Sequence, residues 1–386
     1  MRLKKGLHLA YCTNIHRGEG WDETFANLEK HSLRVKAEVA PDESYAIGLR
    51  LGWDAARELA EPNSGRLDDF RRWLDEKNCY VFTINGFPYG RFHGSRVKEQ
   101  VYRPDWTTDE RLDYTKLLFD ILLQLLPQGV SGSVSTLPGS FKEFITDDQA
   151  QGAAIVSNLG ACCEYVAKLR EQTGQDLHLG LEPEPLGWFE TSAETVGFFD
   201  RFRGAHGSSF DQILGVNYDT CHLAVEFEEA GEAIGAFVEA GIRLSKLHLS
   251  SALAVRPGQA EIDRLSSFQE DVYLHQVVAR SRDGSLSRYR DLPDALAAGS
   301  EEDEEWRVHF HVPLHAAPEG LGDTRGHLLD TFDVLQRNPQ LCSHLEMETY
   351  TWEVLPQTMH SPDVVEQLVR EYGWTLEQLK TRGLAS

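Results

Sequence analysis

The sequence has no long apolar run. A bilayer-spanning helix needs ~20 consecutive apolar residues, and no stretch approaches that, so a membrane-embedded chain is not expected. The phosphate-cradling loops are missing too. No G-x-G-x-x-G follows the first apolar segment and no Walker loop occurs anywhere, which argues against an open, doubly wound nucleotide-binding sheet. Positive charge is scarce: 38 Lys and Arg stand against 61 Asp and Glu, a formal net charge of −23. A sequence-independent nucleic-acid binder needs a basic surface, so no nucleic-acid partner is expected, and only a local basic groove would provide one. The acidic excess favours small molecules or cations as partners. Cysteine is sparse and unpatterned. The six are Cys12, Cys79, Cys162, Cys163, Cys221 and Cys342, with no C-x-x-C among them, and they read as reduced, mostly buried thiols. The first residues imitate a signal peptide, but the apolar run Gly6–Cys12 is short and broken by His8. Bulky Tyr11 before Cys12 excludes a lipoprotein site. The expectation is a cytoplasmic protein.

The 386 residues are 41% hydrophobic and 26% charged, a globular composition that excludes disordered, collagen-like and coiled-coil chains. A short apolar run, a Gly- and Pro-rich loop and a helical stretch alternate along the chain. Strand candidates are Leu7–Ile15, Tyr45–Leu51, Tyr80–Ile84, Val130–Thr136, Leu177–Glu182, Ile213–Asp219, Arg243–Leu249, Val308–Leu314 and His344–Thr349. Capping signals open helices at Thr107–Glu110, at Thr146 with Gln149 and at Thr191 with Glu194. Alternating strands and helices imply a parallel sheet, and about eight such units imply an α/β fold of the (β/α)₈ TIM-barrel type. The whole chain, 1–386, reads as one barrel domain. Nine strand candidates compete for eight barrel places, so one is extra. A long excursion at about 251–305 breaks the rhythm, and the acidic run Ser300–Glu305 that closes it reads as a solvated loop.

In such a barrel, functional side chains sit at the C-terminal ends of strands. Four of the later candidates end in Leu179-Gly180-Leu181-Glu182-Pro183-Glu184, Asn217-Tyr218-Asp219-Thr220-Cys221-His222, Lys246-Leu247-His248-Leu249 and His344-Leu345-Glu346-Met347-Glu348-Thr349. Charge at the tip of a buried strand is costly unless it is paired or bound to a cation. A single carboxylate there is usually a cap; four such tips, all acidic or imidazole, make a hard anionic site. Three carboxylates and one imidazole suit Mn²⁺ or Mg²⁺, accept Zn²⁺, and leave positions for water and a substrate oxygen. Glu346 and Glu348 face the same way; Glu348, nearer the strand end, is the expected ligand, while Glu184 reads as a loop-capping carboxylate. His309 and His311 lie on one face of a candidate strand, and either hold a second ion or belong to a core strand. His93, flanked by Arg91 and two glycines, and Lys142 after the fourth strand are candidate contacts for a sugar hydroxyl or phosphate. Trp188 and Trp352 read as rim packing.

The runs L-G-L-E-P, D-T-x-H, H-L and E-T resemble the xylose-isomerase-like TIM barrels, a superfamily of sugar epimerases, hydroxypyruvate isomerases and endonuclease-type phosphodiesterases. That resemblance implies one divalent ion held by Glu182, Asp219, His248 and Glu348. It makes Glu182 and Glu348 the groups that move the proton and gives His222 a catalytic contact with substrate or metal. It also implies a second ion near His309 and His311 if the chemistry is phosphoester hydrolysis. The epimerase pattern places an arginine six residues past the third-motif histidine; that position is Ala254, and Arg256 is the nearest candidate for the contact. Asn85-Gly86-Phe87-Pro88-Tyr89-Gly90, Phe92-His93-Gly94, Val101–Trp106, Tyr11–His16 and Thr136–Lys142 are similar to the EboE-type metabolite traffic proteins. These are barrels encoded beside prenyltransferase-like and sugar-cyclase-like proteins and linked to moving a precursor towards the cell envelope. The implied activity is isomerisation or epimerisation of a small polyhydroxylated or phosphorylated metabolite. The alternatives are metal-assisted phosphoester hydrolysis, or carriage of a metabolite for a membrane-protein partner without turnover.

Overall fold

The computed structural model describes residues 1–94, 96–299 and 302–386. Ser300 and Glu301 of the acidic run therefore lie outside the described residues. Eight parallel strands form a nearly closed barrel: β1 (His8–Tyr11), β2 (Tyr45–Arg50), β3 (Cys79–Asn85), β4 (Gly132–Thr136), β5 (Leu177–Leu181), β6 (Leu214–Asp219), β7 (Arg243–Leu249) and, after a long insertion, one more from His344 to Met347. They are almost wholly buried, which is why they appear as continuous apolar runs rather than alternating ones. The last strand pairs with both β1 and β7, so the order around the barrel follows the chain. Between β1 and β2 the ladder shrinks to one parallel bridge, Cys12 to Gly48. Gly48 is required there because a Cβ would stand 2.1 Å from Glu346 Oε1 and 2.5 Å from the Tyr11 carbonyl oxygen.

Helices wrap the outside. The helix Asp109–Leu125 buries Leu112, Leu118, Phe119, Ile121, Leu122 and Leu125, each such side chain contributing about 1.5–3 kcal/mol. Its first turn is not the expected box: Thr108 caps without its side chain, and Asp105 instead accepts from the Thr107 amide at 2.9 Å. The second signal lies one residue along. Asp147 caps the helix Asp148–Thr173 through the Ala150 amide, and Gln151 reaches back to the Thr146 and Asp147 amides. Thr191 does accept from the Glu194 amide, at 3.2 Å.

After β7 the chain leaves the barrel and builds a second, five-stranded sheet. Its strands are β8 (Leu253–Val255), β9 (Val277–Ser281), β10 (Leu286–Tyr289), β11 (Asp303–Val308) and β12 (Gly322–Asp323), in the order β10-β9-β11-β8-β12 with antiparallel pairing. The last barrel strand is thus β13 (His344–Met347). The second sheet has its own core around Val255, Phe268, Val277, Trp306 and Phe310. The expected strand Val308–Leu314 is the extra one: Val308 ends β11, and 309–314 form no strand. That segment alternates like a strand but contains Pro313, which has no amide to donate. It is held by single backbone bonds, His309 N to Gln276 O and Val312 N to Ser251 O. His309 and His311 therefore belong to no barrel strand. Lys98–Asp291 (2.6 Å) and Arg290–Glu99 (3.2 Å) tie the insertion to the loop after β3, and Arg288–Glu226 ties it to the segment after β6.

Candidate metal centre

β6 and β7 pair with Asp219 opposite His248, and β7 and β13 with His248 opposite Glu346. Glu182 follows β5 and Glu348 follows β13, so the register alone brings these side chains to one mouth of the barrel. Donor atoms of Glu182, Asp219, His248 and Glu348 lie within 4.8 Å of one another, all on buried residues. Opposite ligands of one ion stand about 4–5 Å apart at bond lengths of about 2.0–2.4 Å. His248 Nδ1 is 2.8 Å from Glu182 Oε1, 3.2 Å from Glu348 Oε2 and 3.6 Å from Asp219 Oδ2.

The second oxygens are held by the protein. Asp219 Oδ1 accepts from the Cys221 and His222 amides and from Ser250 Oγ, capping the short helix Thr220–Val225. Its Oδ2 is buried with no hydrogen-bond partner. Glu348 Oε1 accepts from Asn14 Nδ2 at 2.8 Å and Asn85 Nδ2 at 3.1 Å. His248 Nε2 faces Glu346 Oε2 at 2.8 Å, and that oxygen also receives Lys246 Nζ at 2.6 Å. With Glu346 taking the Nε2 proton, the ring can present Nδ1 to a cation, the usual way an outer carboxylate fixes a ligating histidine. Burial opposes charge throughout. The His248 imidazole is nonetheless raised well above the ordinary histidine range by Glu348, Glu182 and Asp219, against Lys246. Against the same burial, His222, His248 and His311 draw Asp219 well below the usual carboxylate range, and Lys246 and His248 bring Glu346 to about 2. An orphaned carboxylate oxygen among three buried acids and one imidazole fits a divalent ion, and the cluster can hold one.

Three imidazoles adjoin this cluster. His222 Nδ1 lies 3.1 Å from the Pro183 carbonyl, His309 Nδ1 2.8 Å from Gln276 Oε1, and His311 Nδ1 2.9 Å from the Glu348 carbonyl. Each ring then donates from Nδ1 and keeps an Nε2 lone pair; those of His309 and His311 are buried without partners. Burial and the neighbouring His222 and His311 hold His309 well below the ordinary range, in its neutral form. Glu184 and Cys221 complete overlapping ligand groups with these rings. Glu184 is not a loop cap: it lines the cavity, and burial and the nearby Glu182 push its carboxyl well up.

A cavity of about 580 Å³, counted out to its mouth, opens above the cluster. Glu182, Glu184, His222, His309 and Glu348 contribute its acidic and imidazole lining, and Asn14, Asn85 and Gln276 its amides. Tyr273, Leu274, Gln276 and His309 come from the insertion, which completes the mouth. The expected anion contacts are elsewhere. His93 is buried with both nitrogens engaged, Nε2 by the Asn14 carbonyl and Nδ1 by Tyr273 hydroxyl, each at 2.5 Å. Arg91 lines separate surface clefts. Lys142 is paired with Glu190 and Glu194, and Arg256 is exposed beyond β8. Trp188 bonds Asp148 and Trp352 packs on His360, both away from the cavity.

Sequence reasoning missed Lys246, Asn14 and Asn85. Lys246 stands two residues before His248 on the same face of β7, and Asn85 ends β3, so strand alternation and the strand-end rule would have found both.

No protein-family profile matches this chain, and neither does any curated protein sequence. Solved structures match its fold. A xylose isomerase-like TIM barrel protein from Mycobacterium smegmatis, in complex with magnesium, aligns over 99% of this chain and 99% of its own at 12% identity, with a TM-score of 0.55. D-psicose 3-epimerase from Clostridium cellulolyticum H10, with D-tagatose, covers 97% of this chain and 98% of its own at 12% identity and a TM-score of 0.53. A xylose isomerase domain protein from Alicyclobacillus acidocaldarius covers 97% and 98% at 12% identity, with a TM-score of 0.50. The fold of this chain is the xylose isomerase-like TIM barrel.

Proposed function

We propose that the protein is a divalent-metal-dependent isomerase or epimerase of a small polyhydroxylated carbonyl compound. The observation that carries this reading is the convergence of Glu182, Asp219, His248 and Glu348, with one acid oxygen unpartnered, beneath a cavity at the barrel mouth. A bound Mn²⁺, Mg²⁺ or Zn²⁺ would polarise a carbonyl or hydroxyl and stabilise charge developing on its oxygen. Glu182 and Glu348 both reach the cavity and are the groups that remove and return the proton at the adjacent carbon. Asn14 and Asn85 fix Glu348, and Glu346 with Lys246 braces His248. His222 contacts the substrate or a second ion. The sequence resemblance to EboE-type proteins supports a place in metabolite traffic; carriage of the ligand without turnover is the outcome that would remove the enzyme from that picture.

The test is solvent deuterium exchange. Protein holding about one divalent ion per chain should wash deuterium into the carbon beside the carbonyl of its ligand, and Glu182→Gln should lower exchange far more than ligand binding. Tight binding with no exchange under Mn²⁺, Mg²⁺ or Zn²⁺ would sink the reading.

Metal-assisted phosphoester hydrolysis is favoured by one observation, the three adjoining imidazoles, of which His309 and His311 have buried Nε2 atoms without partners. A second ion held by His222, His309 and His311 would sit beside the first, as in two-metal hydrolytic sites. Zinc content should then approach two per chain in excess Zn²⁺ and fall to one in the His309→Ala, His311→Ala double variant. A content of one in both proteins would leave these rings as cavity wall.

A further inference from the structure

We infer that the molecule this cavity takes is uncharged and carries a hydrocarbon portion beside its oxygen-bearing end, a substrate class that rests on the metal-site reading above. The acids, imidazoles and amides of the lining belong to the cluster and its neighbours. Besides Lys98 and the tyrosines Tyr102, Tyr273 and Tyr350, the rest is apolar: Phe87, Pro88, Phe92, Val97, Val101 and Leu274. These residues come from the loop after β3 and from the insertion, so two separate parts of the chain cover the site with carbon. A pocket for a free sugar has hydrogen-bonding groups on all sides, whereas one apolar wall facing a few placed polar groups takes a ligand with the same division.

No described residue on this wall offers a free cation to a phosphate. The one Lys or Arg among the lining residues is Lys98. Its ammonium group is occupied by Asp291 Oδ2 at 2.6 Å and by the Glu270 carbonyl at 3.2 Å, and it is almost fully buried. The Tyr273 hydroxyl is similarly occupied, by His93. A phosphate dianion entering here would lose its hydration, meet several carboxylates and find no free Lys or Arg among the described lining residues. The chemistry selects a neutral α-hydroxy carbonyl compound bearing an alkyl or aryl group.

Three α-hydroxy ketones with the same chelating unit test this: 2-hydroxyacetophenone, dihydroxyacetone and dihydroxyacetone phosphate. They differ in carrying phenyl, hydroxymethyl or a phosphate ester. The full-length protein is first loaded with Mn²⁺ and its content measured by elemental analysis; binding is then read by calorimetry. The aryl ketone should bind at least tenfold tighter than dihydroxyacetone, and the phosphate weaker than either. Leu274→Ala and Val97→Ser should each erode the aryl advantage severalfold while leaving the dissociation constant of dihydroxyacetone in place. A phosphate ester that binds as tightly as dihydroxyacetone, an aryl ketone that binds no better than dihydroxyacetone, or failure of all three to bind the loaded protein would overturn the inference. If the same order appears with metal-free Asp219→Asn protein, the hydrocarbon preference stands and the metal reading fails, so the two are told apart.

Discussion

The barrel holds buried or half-buried histidines at both ends, and the two ends treat them differently. At the N-terminal end, His344 has Nδ1 on Ser133 and Nε2 on Ser131, at 2.8 and 2.9 Å. His8 has Nδ1 on Tyr80 and His178 has Nδ1 on Ser245. Hydroxyls are their side-chain partners, and burial, with neighbouring positive or imidazole groups, keeps all three rings neutral. At the C-terminal mouth His248 faces carboxylates, His222, His309 and His311 face carbonyl oxygens, and acid and imidazole atoms are left over. Both ends contain an unpartnered nitrogen, since His178 Nε2 has none. Among the described residues, however, converging sets of three or four ligand atoms occur at the C-terminal mouth alone. A buried histidine is therefore not itself a sign of a metal; an imidazole lone pair beside an unsatisfied carboxylate is.

The largest effect should come from breaking the mouth. Asp219→Asn removes one anionic ligand while keeping the oxygen that caps the Thr220–Val225 helix. It should weaken Mn²⁺ binding by more than the roughly 10–100-fold typical of outer-shell changes, as read by titration calorimetry. The matched change at the other end, His344→Asn, should lower the melting temperature by a few degrees and leave Mn²⁺ affinity alone. Equal losses of affinity would erase the distinction between the ends.

Next comes Glu346, which touches His248 but is not among the four converging ligands. Glu346→Gln should weaken metal binding about 10–100-fold without changing the stoichiometry. An affinity equal to that of the unaltered protein would show that His248 needs no such brace.

The smallest effect on metal should come from Glu371, an acid in neither cluster. It is buried, receives Thr349 Oγ1 and Gln367 Nε2 at 3.1 Å each, and burial raises its carboxyl to about 8. An unfolded glutamate titrates near 4.5. Between about pH 4.5 and 8 the unfolded chain is ionised while the folded one keeps its proton, so stability falls as pH rises through that window and is undiminished below it. Glu371→Gln should remove this loss, which can reach a few kcal/mol, and flatten denaturation midpoints measured from pH 5 to 8. A wild-type midpoint that is already flat would contradict the raised value. Metal binding should not change.

Much of this was legible in the sequence, for physical reasons. β5, β6, β7 and β13 are apolar runs with charged tips, and buried strands announce themselves that way. The anion contacts were misread because their partners are distant in the chain: Lys142 meets Glu190, and His93 meets Tyr273 across 180 residues. The second sheet was hidden because its strands are short and one, Leu286–Tyr289, is largely exposed and carries no apolar alternation. The pairing of Lys246 with Glu346 escaped notice because nothing in one strand states what faces it from another.

The single bridge between β1 and β2 gives the metal centre a second meaning. Glu348 Oε1 is gripped by Asn14, just past β1, and by Asn85, at the end of β3. One carboxylate thus laces the barrel across its weakest seam while its other oxygen faces the ion site. Chelation should loosen that lacing, and amide deuterium uptake by mass spectrometry should rise along β1 and β2 before it rises along β5 and β6, which are paired with a neighbouring strand on both sides. Uniform uptake around the barrel would mean the seam bears no such tension. If it does, an ion held there would also be a fastener of the fold.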